Sequence, residues 1–280
     1  MYEGFRIENA DDDLRRKLMK TVVLVKQVPA TTEVEIDSVT GVMKRGMAKG
    51  KLNPFDLFAI ESALTARELF GGTVTALSMG PEAAKESLLE AVYMGADDAY
   101  LLSGAEFAGS DVLATSKAIS EAVTAAGGFD LIICGKQTTD GDTAQVGAEL
   151  AEWLGIPHVT GVVSIVSLGG NDIVVEIETE ELTQTVSLPI PCLLCMDKNI
   201  NTPRLPSYVR KKGYTGDDVK TLGIFDLQDK NLNNYGMDGS PTRVVRIFEP
   251  EAISVSERLE GEPDEVSAKL YEMLKKERMV

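Results

Sequence analysis

Four short apolar runs limit what this chain can fold into: Thr21–Val28 (TVVLVKQV), Thr73–Met79 (TVTALSM), Ala99–Leu102 and Phe129–Cys134 (FDLIIC). The first is β-branched and nearly continuous, the signature of a strand covered on both faces. Between these runs lie segments of helical period. Asn53-Pro54 is a helix start, with Asn at the cap and Pro at the first helical position. Leu57, Ile60, Ala63 and Leu64 then share one face, and Gly71-Gly72 close the segment. Further helices are expected from Glu82 to about Met94 and from Asp111 to Ala126. Alternating buried strands and amphipathic helices make a mainly parallel, doubly wound α/β sheet with right-handed crossovers. Such sheets hold ligands at the carboxyl ends of their strands, which here carry Lys26-Gln27, Met79-Gly80 and Gly135 to Asp142.

The last of these ends leads into Gly135-Lys136-Gln137-Thr138-Thr139-Asp140-Gly141-Asp142-Thr143-Ala144-Gln145-Val146-Gly147, and Thr143 to Leu154 reads as a helix. A strand opening through glycines into a helix start presents unpaired backbone N–H groups at the positive end of the helix dipole. Nucleotide phosphate is the commonest biological anion for such a place. The spacing is neither Gly-x-Gly-x-x-Gly nor the Lys-Ser/Thr phosphate loop, so an ordinary strand-to-helix turn stays open beside a nucleotide site. Asp142 and Gln145 also have the spacing of a capping box. Asp140 and Asp142 would repel a phosphate, so at least one carboxylate is expected to point away.

Composition narrows the function classes. A net charge of −16 argues against nucleic acid or an anionic membrane as partner, and fits a cytoplasmic protein that handles small molecules or docks on basic patches. No apolar run approaches the 18 or so residues of a membrane span, and residues 1–20 lack the apolar core of a signal peptide. Cys192 and Cys195 make a C-x-x-C; with only Cys134 and His158 besides, a four-ligand zinc site is implausible. A buried strand whose small residues include two cysteines is the plainer reading. A single histidine makes Ser-His-Asp or Cys-His hydrolysis implausible as well.

Residues 30–51 read as a long polar loop or a short hairpin around Thr40-Gly41, placed to cover a ligand. Pro157 to Val166 is apolar and β-branched; Asp172 to Glu178 and Leu182 to Leu188 form a hairpin turning at Glu180-Glu181; residues 190–196 add a strand. The expected organisation is an N-terminal extension (1–20), an α/β domain (21–198) and a C-terminal part (199–280). That last part begins with a basic, proline-bearing loop, Arg204 to Lys212. It continues as an extended arm over 213–250 and ends in an amphipathic helix from Pro263 to Val280.

Five ordered motifs carry a resemblance. They are Val25-Lys26-Gln27-Val28-Pro29, Asn53-Pro54-Phe55-Asp56, Ser78-Met79-Gly80-Pro81, the Gly135–Gly147 stretch, and Pro203-Arg204-Leu205-Pro206-Ser207. Together, over about residues 20–250, the chain resembles the β subunit of electron-transfer flavoprotein. The resemblance implies an adenine-nucleotide-binding, doubly wound domain paired with an α subunit in a heterodimer. In the ordinary branch of that family the β subunit holds AMP as a structural ligand. In the electron-bifurcating branch it holds FAD, which takes a hydride from NADH and splits the electrons. One share goes to an acyl-CoA dehydrogenase or related flavin dehydrogenase, the other to a low-potential carrier, ferredoxin or flavodoxin. AMP-type subunits tend to carry bulkier residues at the positions of Gly141 and Thr143-Ala144, so this chain resembles the FAD-holding branch. The ordinary AMP-holding carrier is the alternative, and a stand-alone nucleotide-binding module a third reading.

By motif, the resemblance puts the nucleotide against Leu24, Asn53, Pro54, Phe55, Asp56, Ala76 and Met79. The rest of the implied site is the run Gly135, Lys136, Gln137, Thr138, Thr139, Asp140, Gly141, Asp142, Thr143, Ala144, Gln145 and Val146. Thr143, Gln145 and Val146 would donate to phosphate; a plain N-cap is the bland reading of Asn53. Lys26 either lies near the flavin or solubilises a strand end. Arg204, Leu205, Pro206, Ser207, Tyr208, Arg210, Lys211 and Lys212 would dock a dehydrogenase partner, with Tyr208 as apolar anchor, or brace the mobile flavin domain; a solvated linker is the bland reading. No residue is expected to act as a conventional acid–base catalyst or metal ligand, because the flavin carries the electron chemistry.

Overall fold

The computed structural model describes residues 19–30, 50–169, 171–179, 181–245 and 258–280. The expected loop over 31–49 and most of the N-terminal extension lie outside these residues. The described residues fall into two compact units, 19–245 in one and 258–280 in the other.

The first unit is built on a nine-stranded sheet. In chain order its strands and helices are β1 (Lys20–Leu24), β2 (Gln27–Pro29), β3 (Gly50–Leu52), α1 (Pro54–Phe70), β4 (Thr73–Met79), α2 (Lys85–Met94), β5 (Asp98–Leu102), α3 (Val112–Ala125) and β6 (Leu131–Gly135). They continue with α4 (Val146–Leu154), β7 (His158–Gly169), β8 (Asp172–Glu178), β9 (Thr183–Pro189), β10 (Cys192–Met196), α5 (Tyr208–Gly213) and β11 (Lys220–Leu222). The spatial order is β11-β5-β4-β1-β6-β10-β7-β8-β9, parallel from β11 through β7 and antiparallel across the β7–β8–β9 meander. The doubly wound α/β architecture expected from the apolar runs is therefore present.

Period-two alternation divides each central strand between two cores. Val23 and Val25 pack with Ala59, Ile60 and Leu88 from α1 and α2. Val22 and Leu24 pack with Ile119, Val123 and Leu150 from α3 and α4. Each of the valines, leucines and isoleucines, fully buried, contributes roughly 1.5–3 kcal/mol of transfer free energy. Because β1 leads to β4 on one side while its other neighbour β6 leads to α4 and the opposite half, the strand order reverses between β1 and β6. A crevice opens at the carboxyl ends of strands at such a reversal.

Several expectations change in detail. The run Thr21–Val28 is two strands, since the chain leaves the sheet at Val25-Lys26 and Gln27–Pro29 pairs antiparallel with Gly50–Leu52. The helix expected from Thr143 starts only at Val146, because Asp142 and Ala144 have φ of 50° and 54°, outside helical space. The Asp142–Gln145 capping box is absent: Gln145 occupies the N-cap and its side chain makes no capping bond. The basic loop contains a short helix, α5, capped by the Ser207 hydroxyl. Residues 213–245 are not an arm away from the sheet. They add β11 to its edge beside β5 and bury Leu222, Ile224, Leu227 and Tyr235 against α3 and the sheet. Sparse apolar positions concealed this because each sits on a separate short turn.

The second unit contains α6 (Pro263–Lys276), started by Pro263 with Asp264 and Glu265 in its first turn and closed by Lys275 and Lys276, charges that suit the helix dipole. Among the described residues no helix is long and apolar enough to cross a membrane.

Candidate functional site

The loop between β6 and α4 leaves the sheet at the strand-order reversal. Its first residue is pinned twice to β10: Lys136 N–H donates to the Met196 carbonyl (2.9 Å), and Lys136 Nζ lies 3.1 Å from an Asp197 carboxylate oxygen. A five-residue turn follows, closed by Asp142 N–H to the Thr138 carbonyl at 3.1 Å. The left-handed φ values of Asp142 and Ala144 come next, then Gln145 in right-handed helical space (φ −114°, ψ −24°). Alternation of this kind turns successive N–H groups to one side and forms an anion-binding concavity. None of the N–H groups of Thr143, Ala144, Gln145, Val146 and Gly147 donates to a backbone acceptor among the described residues. Residues 141–145 are exposed, Val146 is half-buried and Gly147 is buried, and these N–H groups stand at the positive end of α4.

The three loop glycines have different reasons to be glycine. A Cβ on Gly135 would stand 2.5 Å from Asp56 Oδ1, and one on Gly147 would stand 2.5 Å from Cys195 Sγ and 3.0 Å from Cys134 Sγ. Both are therefore demanded by close packing, the second because α4 is seated directly on β6 and β10. Gly141 is different: its Cβ would meet only Thr138 Oγ1, at 3.8 Å, and its φ is not left-handed. Among the described residues nothing requires a glycine there. Gly141 is itself exposed, in the turn that leads to the start of α4.

The charge conflict within the loop is relieved by Lys26. Its Nζ lies 2.8 and 2.9 Å from the two carboxylate oxygens of Asp140, which turns that side chain toward the end of β1. Partial burial pushes the Asp140 carboxyl up, but the Lys26 ammonium and the Thr138 hydroxyl outweigh it and hold the group below the usual carboxylate range.

The start of α1 closes the other wall. Asn53 is fully buried at the N-cap position yet makes no side-chain capping bond. Its Nδ2 donates to Asp56 Oδ1 and to the Gln137 carbonyl, both at 2.9 Å, while its Oδ1 accepts from Thr139 N–H at 3.3 Å. Asp56 Oδ2 accepts from Lys26 N–H at 2.7 Å. Burial pushes the Asp56 carboxyl up to about 7, against the opposing hydrogen bonds from Asn53, Lys26 N–H and Gly135 N–H and the charge of Lys26.

The structure thus brings together Asn53, Pro54, Phe55, Asp56 and residues 135–146 of the predicted site. Met79 stands half-buried at the end of β4. Leu24, the last residue of β1, and Ala76 in β4 lie in the sheet, paired with Leu77 and Val23 respectively, with their side chains buried in opposite cores. The predicted docking residues are also distributed unevenly. Arg204 donates to Glu61 through Nε (2.8 Å), Nη2 (2.9 Å) and its backbone N–H (3.0 Å), and to Glu68 through Nη1 and Nη2. Arg210 donates to the Val92 and Ala96 carbonyls at 2.7 and 2.6 Å. Ser207 is held by its N–H to the Tyr93 carbonyl. Leu205, Pro206 and Tyr208 remain exposed, as do Lys211 and Lys212, with Lys212 Nζ over the Tyr208 ring at 4.7 Å.

Sequence reasoning missed Glu61, Glu68 and Asp197, the partners that consume Arg204 and Lys136. Glu61 and Glu68 are seven residues apart on α1, two turns on one face, which was a readable signal. Cys192 and Cys195 are on opposite faces of β10, in different cores. The neighbour of Cys195 is Cys134, directly across β6 and β10, with sulfurs 3.5 Å apart. No cluster of metal-ligating side chains occurs among the described residues.

Comparison with known proteins gives the family. Residues 40–220 match the model of the electron transfer flavoprotein domain. The chain is 42% identical over 267 residues to an electron transfer flavoprotein subunit beta of Thermoanaerobacterium thermosaccharolyticum, covering 94% of this chain and all of the relative. It is 37% identical to subunit CarD of the caffeyl-CoA reductase–Etf complex of Acetobacterium woodii, with 94% of this chain and all of that protein covered. It is 36% identical, over the same shares, to acryloyl-CoA reductase electron transfer subunit gamma of Anaerotignum propionicum.

Proposed function

This chain belongs to the electron transfer flavoprotein family as a β subunit, and from that premise we propose that it holds FAD on the Gly135–Gly147 loop within a heterodimer with an α subunit. The observation that carries the choice of FAD is Gly141. Among the described residues neither packing nor backbone conformation asks for a glycine there, which leaves room in this exposed turn for a pyrophosphate approaching the start of α4.

Bound there, FAD supplies hydride acceptance from NADH and one-electron transfer onward. The chain's own residues bind and orient it. The N–H groups of Thr143, Gln145 and Val146 take the phosphates, Lys26 withdraws the Asp140 carboxylate from their path, and Asn53 and Asp56 brace the loop. None of these residues is asked to exchange a proton with substrate. Onward transfer runs to an acyl-CoA dehydrogenase-type flavoprotein and, by bifurcation, to ferredoxin or flavodoxin. Support comes from the similarity to electron-transfer subunits of caffeyl-CoA and acryloyl-CoA reductase complexes. Partner docking uses the exposed Leu205, Tyr208, Lys211 and Lys212, which Arg204 and Arg210 present by anchoring the segment to α1 and α2.

The deciding experiment is co-expression with the α subunit and extraction of the nucleotides from the purified complex. Two FAD per heterodimer and bleaching by NADH are expected. One FAD with one AMP, and no reaction with NADH, overturns the proposal in favour of an ordinary carrier with structural AMP.

A further inference from the structure

We propose that Asp56 and Asn53 are a positioning pair that sets the course of the nucleotide loop, Asp56 acting through Asn53 rather than on the ligand. The inference rests on the reading of residues 135–147 as an adenine-nucleotide cradle. Asp56 is 4% exposed and Asn53 0%, so neither side chain is a surface a ligand can lie on. Asn53 stands where an N-cap would stand, yet spends its carboxamide on another segment, donating to the Gln137 carbonyl and accepting from Thr139 N–H. A carboxamide has two orientations. Reversed, Asn53 would set its NH₂ against Thr139 N–H and its oxygen against the Gln137 carbonyl. Both loop contacts would then be repulsive.

Asp56 selects the orientation. An ionised carboxylate only accepts, so Asp56 Oδ1, 2.9 Å from Asn53 Nδ2, admits the amide nitrogen and rejects its oxygen. The carboxylate is itself fixed from two further directions, by Lys26 N–H at the end of β1 and by Gly135 N–H at the end of β6. One buried group thereby joins the ends of β1 and β6 to the start of α1, the three elements that converge at the crevice. The ionisable groups facing it are Lys26, whose ammonium is held by Asp140, and the Cys134 thiol on β6. Protonation of Asp56 would place an O–H among N–H donors, and the orientation of Asn53 would no longer be dictated.

The test uses the complex with the α subunit, freed of dissociable nucleotide and titrated separately with FAD and with AMP. At pH 8, Asp56→Asn and Asn53→Ala are each expected to weaken nucleotide binding about tenfold to a hundredfold, as for loss of a charge-assisted hydrogen bond. The double variant should be no weaker than the worse single one, because the two residues act in series. Wild-type affinity should fall between pH 8 and pH 6, and this fall should be absent in both single variants, which a merely structural role would not produce. Hydrogen exchange of residues 136–145 in the nucleotide-free complex should speed up in both. Multiplicative losses, or a pH dependence surviving in Asn53→Ala, overturn the inference; the second outcome serves where Asp56→Asn fails to assemble. Should the wild type bind neither FAD nor AMP on this chain, the cradle reading falls while the exchange data still decide whether Asp56 and Asn53 order the loop.

Discussion

Glu61 and Arg204 face each other with three hydrogen bonds between one carboxylate and one residue, two from the guanidinium and one from the backbone N–H. Burial pushes the Glu61 carboxyl up, but the Arg204 contacts outweigh it and hold it low. The segment expected to reach for a partner is thus first tied to α1. Arg204→Ala leaves Glu61 facing no cation, and a loss of about 2 kcal/mol in folding stability is expected. Urea unfolding checks it. Arg204→Lys should recover only part, since a single ammonium cannot reproduce the forked contact with Glu61 and Glu68.

Gly147→Ala and Gly141→Ala should separate packing from binding. A Cβ on Gly147 meets Cys195 and Cys134 sulfurs beneath α4, and overpacking of this kind costs about 1–3 kcal/mol. Gly141→Ala should leave the melting temperature unchanged and lower FAD occupancy more than AMP binding. Equal losses of stability in both variants would show that Gly141 is needed by the fold.

Ala144 occupies left-handed space at φ 54°, which costs a non-glycine residue on the order of 1–2 kcal/mol. Ala144→Gly relieves that cost while loosening the unfolded chain, so its stability should lie within about 1 kcal/mol of wild type. Ala144→Val, β-branched, should be clearly less stable and bind nucleotide more weakly. Thermal melts and nucleotide titration of the two variants side by side check this.

The pH dependence of stability has a definite sign at Asp56. In the folded state its carboxyl keeps a proton up to about 7, against an ordinary value of 3.8. Between those values the folded chain binds more protons than the unfolded one, so this contribution to stability declines as pH rises from about 4 to about 7 and is level outside that window. Glu61 and Asp140, both held low, run oppositely, contributing stability above the ordinary carboxylate range and losing it as pH falls. The stability of wild type minus that of Asp56→Asn, from urea unfolding, should therefore fall as pH rises from 5 to 8.

The three thiols should be silent in the native protein. Cys134, Cys192 and Cys195 are buried, and burial pushes the Cys192 thiol up to about 12. A thiol reagent is expected to label none of them within the time that labels all three in urea. Mild oxidation should give no Cys192–Cys195 disulfide, since the two side chains lie on opposite faces of β10.

The sequence alone determined the α/β winding, the strands of the central sheet and the place of the glycine-bearing loop, because each depends on local periodicity and on glycine or proline at element ends. It could not show β11, whose buried residues are scattered over short turns and make sense only against β5. Nor could it show that Asn53 is spent on a loop 84 residues away rather than on its own helix. Thr143-Ala144-Gln145 has helical composition, yet the bond from Asp142 to Thr138 and the packing of Gly147 on two cysteines delay the helix to Val146. The decisive contacts, Lys26 with Asp140, Asn53 with Gln137 and Thr139, and Arg204 with Glu61, join residues far apart in the chain. The parallel sheet decides the first two by setting the ends of β1 and β6 side by side, and the packing of residues 201–204 along α1 decides the third.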